Sequence, residues 1–208
     1  MGSSGLLLAA RLAGASLALS ALVTAAGCFG GPAPRDHFYR IDQSQPQASL
    51  SQPVLKGTLE IDRFRTDALT RERSILRVES SGSVRVTPYA YQLWVDTPTV
   101  ILQRDLAEFM RLAGVAERVV LPEMNVEEEY EVAGWIERLV HVTGNDSVVV
   151  EMEFSLSRSR GGGQLLRRRY HAEQATGGND MDSVVKAFGS AVREIFEHLL
   201  ADIAALRV

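Results

Sequence analysis

Apolar and polar side chains alternate along three runs in the second half of the chain. Tyr130, Val132, Ile136 and Val140 alternate with Glu129, Glu131 and Glu137. Val148, Val150, Met152, Phe154 and Leu156 then alternate with Val149, Glu151, Glu153 and Ser155. Leu166, Tyr170 and Ala172 alternate in turn with Arg167, Arg169 and His171. A period of two is that of a strand with one buried face. The runs are separated by Thr143-Gly144-Asn145-Asp146 and Gly161-Gly162-Gly163, which are turn sequences. The pattern therefore predicts a three-stranded antiparallel meander. Its outer face is Glu-rich on the first two strands and Arg-rich on the third, a pairing that stabilises across strands.

Earlier in the chain, Leu55, Leu59 and Ile61 predict a first strand. Ile75–Val78 and Val84–Tyr89 predict a short pair around Ser80-Ser81-Gly82-Ser83. Thr97-Pro98 opens a helix, with Thr as N-cap and Pro in the first turn, and Gly114 stands where a C-terminal cap belongs. Leu102, Leu106, Phe109 and Ala113 recur at helical spacing within it. A second amphipathic helix is predicted from Asp182 to Leu206, with Asp180 or Asp182 as N-cap and Val184, Phe188, Ala191, Ile195, Leu199 and Ile203 on one stripe. The expected class is α+β, an open-faced α/β sandwich of mainly antiparallel sheet packed on two long helices.

The N-terminal stretch reads differently. Residues 5–27 are almost continuously apolar or small, long enough for a membrane-spanning helix. Arg11, the apolar core Leu12–Thr24 and the small residues Ala25-Ala26-Gly27 before Cys28 have the layout of a cleaved signal peptide. The ending resembles a bacterial lipobox. That resemblance implies that Cys28 is diacylated on sulfur, becomes the new N-terminus and is then N-acylated. An uncleaved anchor helix with an incidental Cys28 is the alternative. Phe29, in place of an Asp, implies transfer to the outer membrane of a Gram-negative cell, facing the periplasm. Pro32, Pro34, Pro46 and Pro53, with Gln and Ser between them, predict an extended tether. His37–Ile41 inside it is a candidate edge strand. The expected organisation is a signal peptide (1–27), a lipidated cysteine with its tether (28–53) and one domain (54–208).

Composition narrows the function. Of 208 residues 46% are hydrophobic, and 26 acidic against 22 basic side chains give a net charge of −4. That balance lacks the basic excess of a nucleic-acid binder. A single cysteine excludes an intrachain disulfide framework and a Cys-based zinc site. None of His37, His141, His171 and His198 has a second ligand at metal-binding spacing. There is no H-E-x-x-H, G-x-S-x-G, P-loop or G-x-G-x-x-G. Gly161–Gly163 ahead of Arg167 lacks the Lys-Ser/Thr and helix of a phosphate cradle, and Glu127–Glu129 with Glu131 lacks the spaced loop of a Ca²⁺ site. The sequence therefore predicts no catalytic, cofactor or metal-binding residue beyond the covalent lipid on Cys28.

Several segments in order resemble one family. They are Cys28 itself, Phe38-Tyr39-Arg40-Ile41, Ile61-Asp62-Arg63-Phe64, Arg71-Glu72-Arg73-Ser74-Ile75-Leu76, and Tyr91-Gln92-Leu93-Trp94-Val95-Asp96-Thr97-Pro98. Together they resemble the ABC-type transport auxiliary lipoproteins, the PqiC-like group. The resemblance implies a non-enzymatic subunit of an envelope lipid-trafficking system. Such a system combines an inner-membrane ATPase and permease with an MCE-domain protein that spans the periplasm, and the lipoprotein docks that bridge at the outer membrane. Tyr89, Tyr91 and Trp94, with Arg167, Arg168 and Arg169, are the expected partner or homo-oligomer surface; a lone Trp ahead of a helix is more often a core or capping residue, and that alternative for Trp94 stays open. Two other readings stay open. A lipoprotein that itself holds lipid or lipopolysaccharide needs an apolar pocket beneath the sheet. A periplasmic enzyme needs a cleft with strongly perturbed carboxylates.

Overall fold

A computed structural model of the chain describes residues 33–41 and 45–206; Cys28 and the signal segment lie outside the described residues. In chain order the elements are β1 (His37–Tyr39), β2 (Leu55–Ile61), β3 (Arg65–Thr66), β4 (Ser74–Val78), β5 (Thr87–Trp94), α1 (Pro98–Ala113), β6 (Ala116–Val120), β7 (Tyr130–Val142), β8 (Ser147–Arg158), β9 (Gln164–Ala175) and α2 (Met181–Ala204). A 3-10 turn, Pro122–Met124, joins β6 to β7.

The meander predicted by the alternation is present. β7 pairs antiparallel with β8 from Tyr130↔Arg158 to Val142↔Ser147, and β8 pairs antiparallel with β9. The other edge of β7 is filled by three successive pieces of the chain, each parallel to it. Leu59–Ile61 pair with Tyr130–Val132, Arg65–Thr66 with Trp135–Ile136, and Leu76–Val78 with Val140–Val142. β6 then flanks β2, while β5 flanks β4 and β1 flanks β5. The sheet is therefore mixed rather than mainly antiparallel: five of its eight strand pairings are parallel. Alternation reports which face of a strand is buried and carries no information about the direction of its neighbour. Ala116–Val120 shows no alternation, and so β6 is not legible from the pattern.

A second departure lies within β7. Ile136 opposes Met152 but Arg138 opposes Glu151, so Glu137 is an extra residue on β7. A bulge of this kind shifts every later side chain to the other face. Leu139 and His141 consequently point with Tyr130, Val132 and Ile136 toward the helices. Val140, which simple alternation assigns to that core, instead joins Leu76, Val78, Val142 and Val149 in a small separate cluster.

Both helices carry the buried stripes expected of them, α1 through Leu102, Leu106, Phe109 and Ala113, and α2 through Val184, Phe188, Ala191, Ile195, Leu199 and Ile203. Only α2, at 24 residues, is long; α1 has 16. Thr97 stands extended at the N-cap position ahead of Pro98 but its side chain makes no capping hydrogen bond, and Gly114 closes α1 with φ 69°, donating its N–H to the Arg111 and Met110 carbonyls. That left-handed conformation costs glycine nothing. Asp180 caps α2 by accepting from the Ser183 N–H at 2.9 Å. Between helices and sheet the core is aromatic. Phe154 lies 5.7 Å from Phe64, 6.0 Å from Tyr170 and 6.4 Å from Phe196, and Phe109 meets Phe196 at 5.6 Å. Such tilted and edge-on pairs add about 0.5–1.5 kcal/mol each beyond area burial.

The segment expected to be tether contributes to this unit. The compact unit begins at Asp36. β1 pairs with β5, Ile41 is in the core, and the Leu50 N–H donates to the Ala113 carbonyl at 2.8 Å. The run of Pro, Gln and Ser reads as linker because its few apolar anchors are too widely spaced to show a period.

Phe64 reaches the core by lying over Gly134: a Cβ there would stand 2.7 Å from its ring. Gly134→Val is expected to destabilise the fold by about 1–3 kcal/mol through overpacking, read as a lowered urea midpoint. Paired with Phe64→Ala, the loss should be less than additive, because the clash then has no second party.

Candidate functional site

The helices cover one face of the sheet. On the opposite face, β7 directs Ala133 and Trp135 outward, because Tyr130, Val132, Gly134 and Ile136 point inward. Trp135 is 46% exposed. Arg65 and Glu153 stand beside it in register on β3 and β8. A surface hollow of about 220 Å³ adjoins it, lined by Arg65, Ala133, Ser155, Gln164 and Arg167 among others.

Around the tryptophan runs a ladder of ion pairs. Arg167 donates to Glu153 at 2.9 Å, Arg169 to Glu137 at 2.6 Å, and Arg138 to Glu151 at 3.4 Å. His171 Nδ1 lies 3.2 Å from the same Glu151. Each exposed pair is worth about 0–1 kcal/mol, so their effect is chiefly on the pattern of charge. Arg138 also donates to the Ser81 carbonyl at 3.0 Å, joining the loop between β4 and β5 to this face.

The end of the face toward β2 is acidic. Glu60 and Glu131 are cross-strand neighbours. The carboxyl of Glu60 is raised above its usual range by burial, then by Glu128, Asp62, Glu131 and Glu123. That of Glu131 is raised by burial, then by Asp62 and Glu128, with Arg65 opposing. Like charges held in register in this way are complementary to a cationic partner surface. Among the described residues no group of three or more His, Cys, Asp or Glu is arranged to hold a metal ion.

The residues expected from sequence to form a partner surface are distributed differently. Trp94 is 1% exposed and packs edge-on against Phe188 of α2 at 5.5 Å; it is a core residue and cannot be an exposed anchor. Tyr89 is half-buried, its hydroxyl 2.8 Å from His141 Nδ1 and its ring 4.8 Å from the Arg77 guanidinium carbon. Tyr91 alone of the three is substantially exposed, at 43%. The three arginines also divide, since successive residues of a strand face opposite ways. Arg167 and Arg169 join the ladder beside Trp135. Arg168 reaches Asp202 on α2 at 2.8 Å, where the Tyr170 hydroxyl also donates at 2.7 Å. Burial and the Asp202 carboxylate raise the pKa of that hydroxyl.

Trp135 was not singled out by motif or spacing. Its signal was there in the alternation: a large apolar side chain at an outward position, between Gly134 and Ile136.

Comparison with known proteins bears on this architecture. Residues 39–204 match the profile of a family described as the ABC-type transport auxiliary lipoprotein component. Among solved structures the chain is similar to protein XCC0632 from Xanthomonas campestris, with 14% identity and a TM-score of 0.69, over 79% of this chain and 92% of that one. It is also similar to an uncharacterized protein, with 13% identity and a TM-score of 0.64, over 82% and 99% of the two chains. At these identities the likeness is one of fold. No curated protein matches the sequence.

Two outcomes follow from this placement. Trp94→Ala is expected to cost about 3–5 kcal/mol of stability, while Trp135→Ala stays within about 0.5 kcal/mol; chemical denaturation of the two variants checks the contrast. His141 is held below its ordinary pKa of 6.5, first by burial and then by Arg77, against the pull of Asp146. The folded state therefore disfavours the imidazolium. Stability is full above pH 6.5 and falls as pH drops toward the lower folded-state value. The urea midpoint should decrease between about pH 7.5 and about pH 5, and His141→Gln should flatten that decrease.

Proposed function

The chain belongs to the ABC-type transport auxiliary lipoprotein family, and we propose that it is a non-enzymatic docking subunit of an envelope lipid-transport system. In this reading Cys28 carries the lipid that anchors the protein to the periplasmic face of the outer membrane. The domain receives an MCE-domain protein whose permease and ATPase lie in the inner membrane. Each buried methylene of an acyl chain contributes about 0.8 kcal/mol, and two or more chains hold durably, so such an anchor keeps the domain at one membrane while its partner reaches from the other.

The observation that carries the reading is Trp135. An exposed tryptophan at the middle of an uncovered sheet face, ringed by charged side chains, has the make-up of an interface hot spot with a polar rim. Arg167 and Arg169, expected from sequence to contact a partner, stand in that rim, and the acidic corner at Glu60 and Glu131 gives it a sign. Tyr91 lies elsewhere, on β5.

The reading in which the protein itself encloses lipid requires an apolar pocket beneath the sheet. The layer between sheet and helices is occupied there by Trp94, Phe109, Phe154, Phe188 and Phe196, all fully buried and packed on one another or on their neighbours.

Crosslinking of the tagged full-length protein in cells, followed by mass spectrometry, tests the docking role. An MCE-domain protein is expected among the captured partners, and Trp135→Ala should lower its yield tenfold or more, the equivalent of about 1.4 kcal/mol or above. Recovery of outer-membrane components and lipid alone would sink the proposal. Cys28→Ala should leave a folded domain that fractionates with the soluble periplasm; a variant that stayed in the membrane and functioned normally would remove the lipoprotein reading.

A further inference from the structure

The lipid anchor and the first strand are close in sequence, which restricts how the domain can sit on its membrane. Cys28 and His37 are nine residues apart, and a fully extended chain of that length spans about 30 Å at most. The start of β1 therefore cannot leave the bilayer surface by more than roughly the diameter of a small domain, wherever the rest of the molecule points.

The residues gathered at that strand are those of a membrane–water interface. Among the described residues β1 is the terminal strand of the sheet on this side, paired with β5. Tyr39 packs against the core and Ile41 belongs to it, whereas Phe38, the residue before Tyr39, is 53% exposed. On β5 and just beyond it, Tyr91 and Val95 are also exposed, and the Val95 N–H donates to the Tyr39 carbonyl at 2.9 Å. The Arg73 side chain crosses this edge: its Nε donates to the Trp94 carbonyl at 3.0 Å, and its guanidinium carbon lies 5.1 Å over the Phe38 ring. Among the described residues Arg73 has no carboxylate partner; Arg35, Asp36 and Arg40 flank the strand, and Asp180 and Asp182 lie near Tyr39. Here an exposed aromatic ring lies under a guanidinium at the edge of the sheet. That arrangement suits the headgroup region, where aromatic rings sit at interfacial depth and arginines meet phosphate.

We infer that the β1–β5 edge rests on the lipid surface that holds the anchor, with Phe38 at headgroup depth and Arg73 against lipid phosphates. This inference rests on the lipidation of Cys28. It leaves the Trp135 face available to a partner: three strand steps of about 4.8 Å separate β1 from β7.

The test uses the full-length lipidated protein in vesicles of phosphatidylethanolamine and phosphatidylglycerol. Cys28 is the only native cysteine, so Phe38→Cys gives the mature protein a single free thiol for an environment-sensitive fluorophore. The same label is placed by Tyr91→Cys, and by Met124→Cys as a reference on the 3-10 turn, where Met124 is likewise exposed. Brominated lipids are expected to quench the label at 38 at least twice as strongly as that at 124, with 91 following 38. Equal quenching at 38 and 124, in protein that floats with the vesicles, overturns the inference while leaving the anchor intact. Quenching at neither position together with a label at 38 shielded from aqueous iodide overturns it in favour of a protein contact at this edge. Protein that does not float with the vesicles removes the anchor, and the inference with it.

Discussion

The long strand Tyr130–Val142 must find hydrogen-bond partners along both edges, because unpaired backbone groups in a buried layer are costly. One edge is satisfied by β8 over its whole length. The other is satisfied in three instalments by the stretch from Leu59 to Val78, which runs parallel to β7 through β2, β3 and β4. The remaining strands take their places from this arrangement. β6 extends the sheet beside β2, and β5 and β1 extend it beside β4. A thirteen-residue strand is long for its class, and the bulge at Glu137 is what lets its two halves serve different neighbours.

Before the bulge, β7 has one buried and one open face, and after it both faces are apolar. Leu139 enters the main core while Val140 and Val142 close with Leu76, Val78 and Val149 on the reverse side. Glu137 and Arg138, the residues around the extra position, both turn to solvent and take ion-pair partners on β9 and β8. Trp135 lies just ahead of this point. It is the last large apolar side chain to face outward before the face becomes covered, which leaves it standing between the acidic corner and the small apolar cluster.

The two tryptophans show how position governs role. Trp94 ends β5 beneath α2, where its whole ring is removed from water and it stabilises the packing of helix on sheet. Trp135 has the same chemistry on the opposite face and leaves nearly half its surface in water. A buried ring contributes to stability through the area it hides; an exposed one keeps that contribution for whatever covers it. The proposed docking role and the inferred membrane contact therefore fall on different parts of one sheet, its middle and its terminal strand, and neither draws on the aromatic core that holds the fold.

The class of fold, the meander, both helices with their caps and the absence of a recognisable catalytic motif were legible in the sequence, because each depends on residues close together in the chain. Thr97-Pro98, Gly114 and Asp180 act within a single turn, and a period of two or of 3.6 is a local property. The address expected at Cys28 rests on an equally local pattern, and those residues lie outside the described structure. Strand direction, the in-line filling of one edge of β7, and the inclusion of β1 and Leu50 in the domain were not legible, since each depends on partners tens of residues away. The bulge at Glu137 is decided by the register against β8, so Val140 changed faces with no local sign of it. Trp94, expected on a partner surface, went into the core for the same reason, while Trp135, of which nothing was expected, stayed on the open face. The sequence by itself determined which side chains can share a face; only the tertiary structure decided which of those faces the helices would cover, because burial is settled by what packs from elsewhere in the chain.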